Sequence, residues 1–168
     1  MPFHLFLLRH AETELLQSGQ SDFDRELLPK GIEQIQYLSQ HLSKIGLYPD
    51  SIISSPARRA KTTAIDLMTA LKVSTDKIHF HKSVYTAEAS GLLNLIQETD
   101  NNFQHLLLVG HNPALSDLGT YLVKGFADGL RTCDLVWIEL NIEQWTGVHK
   151  GTGQLKKIIH ATPLKNDK

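Results

Sequence analysis

The chain has 168 residues, a length that fits one domain of ordinary size and is too short for two. Its composition, 41% hydrophobic and 21% charged, is close to the globular average and excludes disordered, collagen-like and fibrous classes. Lysine and arginine total 17 against 18 acidic residues, which gives a net charge of -1 with the nine histidines neutral, so no excess of charge favours nucleic acid or an acidic membrane as a partner.

Apolar runs with the character of buried strands occur at four places along the chain. They are Phe3 to Leu8, Ser51 to Ser54, His105 to Val109 and Asp134 to Leu140. A further run, Leu155 to His160, follows a glycine-rich stretch at 147–153. We expect it to be a strand that pairs with the fourth run at one edge of a sheet.

Helical patterns lie between these strands. Apolar residues recur at spacings of three and four between residues 32 and 45, with Pro29 near the start of the pattern and Gly46 just after its end. Further helices are predicted from about Ala57 to Leu71, from about Glu88 to Glu98 and from about Pro113 to Val123.

The alternation of strands and helices predicts βαβ units. The expected fold is therefore α/β, with three layers, α/β/α, around a mostly parallel central sheet. Neither a linker nor an internal repeat is visible, so residues 1–161 are predicted to form a single domain. The polar residues 162–168 are predicted to be a frayed C-terminal tail.

The single cysteine and the amino terminus bear on where the protein works. Cys133 has no cysteine partner for an internal disulfide or a thiolate zinc site, which favours a reducing compartment and an inert, packed thiol. The apolar residues 1–8 run directly into Arg9 and His10 without a basic leader or a cleavage site, so they indicate a first strand and not a signal peptide. No apolar run approaches the roughly 18 residues that cross a bilayer. We therefore expect a soluble, cytoplasmic protein.

Charged residues follow three of the predicted strands. Arg9 and His10 end the first strand, Arg58 and Arg59 come shortly after the second, and His111 follows the third. Ligands of open α/β sheets bind in the crevice at the carboxyl ends of parallel strands, so these side chains are expected to meet there. The sequence thus predicts a cluster of cationic donors drawn from distant parts of the chain.

A cluster of this kind repels itself unless an anion fills it. The planar fork of arginine matches pairs of phosphate oxygens, which makes a phosphoryl group the expected ligand. Histidine, with a reference pKa of about 6.5, is substantially neutral at pH 7 and can attack phosphorus through a ring nitrogen. One histidine is therefore predicted to be a nucleophile, and the other a donor to the phosphoryl oxygens.

Four segments, in order and spacing, resemble the signatures of the histidine phosphatase superfamily, also called the phosphoglycerate mutase-like clan. Leu7 to Thr13 is similar to its Arg-His-Gly (RHG) signature, and Arg25 to Gly31 to the Arg-x-Leu-Thr-x-x-Gly lead into its first helix. Ser54 to Ala64 resembles its Ser-x-x-x-Arg-Ala-x-x-Thr-Ala element, and Val109 to Pro113 the segment of its second histidine. The resemblance implies a phosphoglycerate mutase-like fold.

The resemblance also implies roles for individual residues. His10 becomes the nucleophile that is phosphorylated, and Arg9 a phosphate ligand. His111 becomes the second histidine, which donates to the phosphoryl oxygens, and Thr13 lends a hydroxyl or a backbone N–H. The implied mechanism has two steps, phosphoryl transfer to the first histidine and hydrolysis of that phosphohistidine by water, and needs no metal or other cofactor.

Register and departures from the family pattern concern five further positions. Arg59 directly precedes Ala60 and therefore matches the second phosphate-binding arginine, which leaves Arg58 pointing outward. Ala11 replaces the usual glycine, a change we expect to be tolerated if its φ is negative. Leu28 stands where threonine is usual, which should affect only the local capping of the helix.

The general acid is the third departure. Relatives that hydrolyse alkyl phosphates use a carboxylate to protonate the departing oxygen, and the obvious carboxylate in the matching stretch, Val84 to Ala89, is Glu88. Glu88 is either that catalytic acid or a residue that the helix dipole favours at a helix N-terminus. Without an acid the leaving group must be a good one unaided, and phosphoramidates such as phosphohistidine qualify better than alkyl esters.

Chain length narrows the resemblance further. The stretches after His10 and between Ala64 and His111 leave little chain for a lid, and a Glu-Arg-x-Tyr-Gly stretch like that of the mutases is missing. The chain therefore looks most like the small SixA-type protein phosphohistidine phosphatases. The implied substrate is phosphohistidine on a protein, and a small phosphomonoester is the alternative.

Two other classes of function stay open. A metal hydrolase would use His10, Glu12 and His111, but His-x-Glu is a loose pattern and the neighbouring arginines repel a cation. A non-catalytic module would only hold phosphorylated partners. Activity that survives a chelator excludes the first, and acid-labile phosphate on His10 during turnover excludes the second.

Overall fold

A computed structural model describes residues 2–161, so the predicted tail at 162–168 lies outside the described residues. The strands of this range are β1 (Phe3–Arg9), β2 (Ser51–Ser54), β3 (Ile78–Phe80), β4 (His105–Gly110), β5 (Leu135–Leu140) and β6 (Gly153–Ile159). Its helices are α1 (Pro29–Lys44), α2 (Arg58–Ala70), α3 (Lys82–Thr86), α4 (Ala89–Gln97) and α5 (Ala114–Leu122), with short 3-10 helices at Asp22–Asp24, Thr75–Lys77 and Trp145–Gly147.

All of these strands belong to one sheet, in the order β3-β2-β4-β1-β5-β6. The first four pair in parallel, whereas β5 runs antiparallel to β1 and β6 antiparallel to β5. The predicted sheet, mostly parallel with the two last strands at one edge, is confirmed. Strand β3 escaped prediction because only Ile78 of its three residues is buried, so its sequence contains no apolar run.

Helices cover both faces of the sheet, because successive side chains of a strand point to opposite faces. Leu5 and Leu7 of β1 pack on one face in a cluster that includes residues of α4 and α5. Phe6 and Leu8 pack on the other face with residues of α1 and α2. All four side chains are fully buried. The predicted three-layer α/β/α architecture is therefore confirmed.

Helix α1 is amphipathic, as the spacing of its apolar residues predicts, but its buried stripe is shorter than expected. Ile35, Leu38 and Leu42 are buried, whereas Ile32 and Ile45 at the two ends of the predicted stripe are 47% and 42% exposed. None of the helices within residues 2–161 has the length and hydropathy that crossing a membrane requires.

The register of the central strands brings their carboxyl ends together. Arg9 at the end of β1 lies opposite Gly110 at the end of β4. The pairing continues one residue beyond the strands, since the His10 N–H donates to the Gly110 carbonyl at 3.2 Å and the Ser55 N–H donates to the Val109 carbonyl at 3.0 Å. The loops that leave β1, β2 and β4 therefore start side by side at one edge of the sheet.

Candidate active site

Two histidines meet at this edge. His10 follows β1 directly and is 6% exposed, and His111 follows β4. Their ring centroids are 5.4 Å apart, with an angle of 51° between the ring planes. Strands that are neighbours in the sheet but about a hundred residues apart in sequence thus deliver both predicted imidazoles to one place.

The protonation of His10 follows from its main-chain partner. Its Nδ1 atom lies 2.8 Å from the Ala11 carbonyl oxygen, and a carbonyl can only accept, so Nδ1 carries the proton and donates it. The lone pair is then on Nε2. Burial lowers the pKa of His10 to about 3, with the neighbouring imidazole and guanidinium groups acting in the same direction and the hydrogen bond to Ala11 opposing them. His10 is therefore neutral and of defined tautomer at pH 7.

His111 has a hydroxyl partner on the second loop. Its Nε2 atom lies 2.8 Å from Ser55 Oγ, which also accepts a hydrogen bond from the Ala57 N–H at 3.2 Å. Ser55 Oγ can donate its own proton to Nε2, and in that arrangement the proton of His111 is on Nδ1. Nδ1 is buried and has no hydrogen-bond partner among the described residues. Burial and the charge of Arg59 lower the pKa of His111 to about 4, so this imidazole is also neutral.

Arg59, on the first turn of α2, is buried beside the histidines. The ends of its guanidinium group donate to one residue, Nη1 to the Asp22 carbonyl at 2.7 Å and Nη2 to Asp22 Oδ2 at 3.0 Å. Its Nε atom is buried and without a hydrogen-bond partner in the described part of the chain. Arg58, its neighbour, points outward and pairs with Glu26 at 2.8 Å. The sequence register therefore distinguishes the two arginines correctly.

Arg9 is held from the far end of the chain. Its Nη1 atom donates to the Leu130 carbonyl at 3.0 Å, and its buried Nε, like that of Arg59, makes no hydrogen bond within residues 2–161. Arg9 and Arg59 are both close enough to lower the pKa of His10 and of His111. We call Arg9, His10, Arg59 and His111 the basic cluster. Unpartnered buried N–H groups at three of its residues fit the donor set of a tetrahedral oxyanion.

Asp22 is a carboxylate of this site that the sequence analysis missed. Besides Arg59 it contacts Arg25, whose Nη2 lies 3.0 Å from Oδ1, and Tyr85, whose hydroxyl donates to Oδ2 at 2.8 Å. Burial acts to raise the pKa of Asp22, but the hydrogen bond from Tyr85 and the charges of the two arginines outweigh it and the pKa is lowered overall. Asp22 is therefore ionised at pH 7.

The remaining predicted residues lie outside the basic cluster. Thr13 reaches it only through Arg25, whose Nη1 lies 3.4 Å from Thr13 Oγ1. Glu88 is an exposed residue at the N-terminal boundary of α4, and its side chain neither caps that helix nor contacts either histidine of the cluster. The structure thus places Glu88 at a helix N-terminus, as the second of its predicted roles requires, and shows no contact that supports the role of catalytic acid.

The residues next to His10 fill structural positions. Ala11 is fully buried, has no positive φ, and its N–H donates to Thr63 Oγ1 at 3.0 Å, so a methyl group in place of the usual glycine is accommodated. Glu12 accepts a hydrogen bond from Thr132 Oγ1 at 2.8 Å and does not face the histidines as a metal ligand would. Within residues 2–161, three or more His, Cys, Asp or Glu side chains are nowhere grouped to hold a metal ion.

The site residues that were not predicted differ in whether a sequence pattern could have indicated them. Ser55 and Arg25 lie inside segments that carry the family resemblance, and Tyr85 lies in the stretch that was searched for an acid. Asp22 lies outside all of them. It precedes Arg25 by three residues in a short 3-10 helix, where an acidic residue is common without any function.

The first half of the chain is similar in sequence to known proteins. The family model of the histidine phosphatase superfamily (branch 1) matches residues 5–79. A mitochondrial serine/threonine-protein phosphatase Pgam5 of Drosophila ananassae is 35% identical over 75 residues, which are 45% of this chain and only 25% of that protein. The chain thus matches about a quarter of the length of this relative.

Similarity to solved structures extends over nearly the whole chain. The SixA protein of Agrobacterium tumefaciens has a TM-score of 0.79 at 24% identity and covers 95% of this chain and 98% of its own. The protein histidine phosphatase SixA in complex with tungstate has a TM-score of 0.80 at 17% identity and covers 94% and 97%. At these identities the likeness is one of fold.

The class that the fold and the matched segments define is an α/β protein of the phosphoglycerate mutase type. Residues 5–79 match the family model of the histidine phosphatase superfamily, and the fold of the chain is that of the SixA proteins.

Proposed function

We propose that the protein is a phosphatase in which His10 takes the phosphoryl group from phosphohistidine on another protein. The observation that carries the proposal is the neutral, buried imidazole of His10, whose Nε2 lone pair is free within the basic cluster. An imidazole that stays unprotonated among cations is suited to attack phosphorus, and the surrounding N–H groups are suited to stabilise the charge on the equatorial oxygens.

The first step transfers the phosphoryl group. The Nε2 lone pair of His10 forms a bond to phosphorus while the bond from phosphorus to the substrate nitrogen breaks. The electron pair of that bond leaves with the substrate imidazole, which departs as a neutral ring because its other nitrogen already carries a proton. Arg9, Arg59 and the Nδ1–H of His111 donate to the three equatorial oxygens. Both histidines of the site start this step neutral, so no proton has to leave before attack.

The second step returns His10 to its starting state. A water oxygen forms a bond to phosphorus as the bond from phosphorus to Nε2 breaks. Nε2 recovers its lone pair, inorganic phosphate forms, and the proton that water loses passes to the phosphate or to solvent. The Ala11 carbonyl keeps the proton on Nδ1 throughout.

The state of the carboxylates favours phosphohistidine over an alkyl ester. An alkoxide leaving group needs a proton, and the carboxyl group nearest the cluster, that of Asp22, is ionised and occupied by Arg25, Arg59 and Tyr85. Glu88, the predicted acid, makes no contact with either histidine. An imidazole leaving group departs without such an acid, which supports a phosphoramidate as the better substrate.

The alternatives make different predictions. A small phosphomonoesterase of the same superfamily would use the same nucleophile and would need Glu88 as its acid. A binding module would hold phosphohistidine without forming phospho-His10. Independence from metal ions and a location in the cytoplasm also stay predictions.

The test compares two substrates with chelator present, a phosphohistidine-bearing protein and p-nitrophenyl phosphate. We expect His10→Asn to abolish both activities. Acid-labile phosphate should form on the native protein and be absent from this variant. His79→Asn, which removes an exposed imidazole, is the matched control and should be fully active. Substantial turnover by His10→Asn would refute the nucleophile, and turnover by the native protein without phospho-His10 would refute the mechanism.

A second pair of substitutions tests the cluster and the acid. Arg59→Ala should lower turnover by about a hundredfold or more, whereas Arg58→Ala, at the adjacent exposed position, should leave it unchanged. Glu88→Gln should leave both activities unchanged. An alkyl phosphate is added as a third substrate, because p-nitrophenolate leaves without a proton and does not report on an acid. A selective loss of alkyl phosphate hydrolysis in Glu88→Gln, with hydrolysis of phosphohistidine retained, would instead assign the acid role to Glu88.

A further inference from the structure

We infer that Asp22 is a positioning residue that sets the orientation of Arg59 and of the Tyr85 ring, which lies next to the Arg59 guanidinium group. This inference rests on the proposed function, because it concerns how the same site presents its donors to a phosphoryl group. Asp22 stands 37 residues before Arg59 in the chain and yet provides both of its hydrogen-bond acceptors.

The guanidinium group offers two edges, each with a pair of parallel N–H bonds. One edge consists of Nη1 and Nη2 at the end of the group, and Asp22 occupies it with its main-chain carbonyl and with Oδ2. The other edge consists of Nε and Nη2, and the Nε of Arg59 is buried without a partner among the described residues. Asp22 therefore binds the Nη1–Nη2 edge of the guanidinium group and leaves the Nε–Nη2 edge to bind two phosphoryl oxygens.

Tyr85 connects Asp22 to the second histidine. The Tyr85 hydroxyl donates to Asp22 Oδ2, and its ring lies at a centroid distance of 5.6 Å from His111, edge to face at 76°. The Arg59 Cζ atom lies over the same ring, 5.9 Å from its centroid. Phe23, next to Asp22 in the chain, packs against the ring at 5.2 Å. One carboxylate thus fixes the side chains that flank two members of the basic cluster.

The charge of Asp22 has an effect opposite to that of its hydrogen bonds. Between Arg25 and Arg59 it compensates part of the positive charge that draws an oxyanion into the site. Removal of this negative charge favours binding of phosphate, whereas loss of the hydrogen bonds frees the arginine fork to rotate. A positioning role therefore predicts a lower kcat without a higher KM, because contacts made best in the transition state are lost while attraction of the ground state is kept.

The experiment uses Asp22→Asn, with Asp24→Asn as the matched control. Asp24 lies on the same 3-10 helix and is exposed, and its side chain forms no hydrogen bond or ion pair within the described range. We expect Asp22→Asn to lower kcat on the phosphohistidine protein by about tenfold with KM unchanged or lower, and Asp24→Asn to match the native protein. Binding of inorganic phosphate, measured by calorimetry, should be unchanged or tighter in Asp22→Asn.

A double-mutant cycle separates positioning from a structural role. In an Arg59→Lys background the fork is already lost, so adding Asp22→Asn should cost about twofold or less. Tyr85→Phe removes one of the contacts to Asp22 and should reduce kcat by less than Asp22→Asn does. Urea unfolding of each variant shows whether it is folded when its kinetics are measured.

Several outcomes would overturn the inference. Asp22→Asn could lower kcat equally in the native and Arg59→Lys backgrounds, or could raise KM and weaken phosphate binding. Either result would show that Asp22 supports the fold and does not orient the Arg59 guanidinium group. Native-like kinetics of Asp22→Asn would remove any role. The proposed function fails separately, because it requires the native protein to turn over substrate and to form phospho-His10 whatever Asp22 does.

Discussion

Acidification from pH 7.5 to 5.0 is expected to destabilise the folded protein through its two site histidines. Burial holds the pKa of His10 at about 3 and that of His111 at about 4 in the folded chain, against an ordinary value near 6.5. Below pH 6.5 the unfolded chain therefore binds protons at these positions that the folded chain does not take up. Stability falls with pH in this window and rises again on return to neutrality.

The size of the effect follows from the linkage of proton binding to unfolding. One pKa unit corresponds to about 1.4 kcal/mol. Between pH 7.5 and 5.0, proton binding stabilises each of the two histidines in the unfolded chain more than in the folded chain, by the equivalent of nearly one and a half pKa units. His10 thus contributes about 2 kcal/mol to the pH dependence of the free energy of unfolding, and His111 about as much. This is a large fraction of the stability of an ordinary domain.

The assay is urea unfolding of the native protein and of His10→Asn at pH 5.0, 6.0 and 7.5. The variant should lose about 2 kcal/mol of the change between the extreme pH values, whereas His79→Asn, at an exposed position, should keep most of it. Comparison of slopes cancels the stability that the substitution itself changes at neutral pH. Identical slopes for the native protein and His10→Asn would refute the argument, because they would mean that His10 takes up its proton in the folded chain at an ordinary pH.

Three further predictions concern stability away from the basic cluster, and thermal or urea unfolding measures each. Lys72→Gly should stabilise the protein by about 1 kcal/mol, since Lys72 has a φ of +57° at the end of α2, a conformation that costs a side-chain-bearing residue about that much; no gain would show that the lysine side chain compensates the strain. Gly31→Ala should destabilise it by about 2 kcal/mol, because the added Cβ would lie 2.4 Å from the Glu12 carbonyl oxygen, and native stability would mean that the loop moves at little cost. Trp145→Ala should cost about 3 to 5 kcal/mol, because Trp145 is fully buried and its Nε1–H donates to the Phe103 carbonyl at 2.8 Å, and a loss below 1 kcal/mol would contradict this packing.

Much of the fold could be predicted because the central strands carry unbroken apolar runs. The run at β1 contains Leu5, Phe6, Leu7 and Leu8, all fully buried, which only a sheet covered on both faces explains. Once strands of this kind alternate with helices, the residues at their carboxyl ends must share an edge. The convergence of His10 with the second histidine therefore follows from local patterns and one topological rule.

The interactions around Asp22 could not be predicted in this way. Asp22 and Tyr85 are 63 residues apart, in a 3-10 helix and a five-residue helix whose sequences show no periodicity. Their contact depends on how the connections pack after the sheet has formed. Glu88 is the obvious carboxylate of its segment in the sequence, but its side chain is exposed. The carboxylate that binds Arg59 is that of Asp22, which lies in a segment without a recognised motif.

The loop before β5 connects the basic cluster to the last third of the chain. The Cys133 N–H donates to the carbonyls of both Arg9 and His10, at 3.1 and 3.0 Å, and the Leu130 carbonyl accepts from the side chains of Arg9 and Asn112. A chain cut before residue 130 would keep every member of the basic cluster. It would lose the hydrogen bonds through which the loop before β5 joins the loop after β1 to the loop after β4. Insertions that lengthen the 130–134 loop should therefore affect the proposed phosphoryl transfer through Arg9 and the backbone of His10, although they add no residue to the basic cluster.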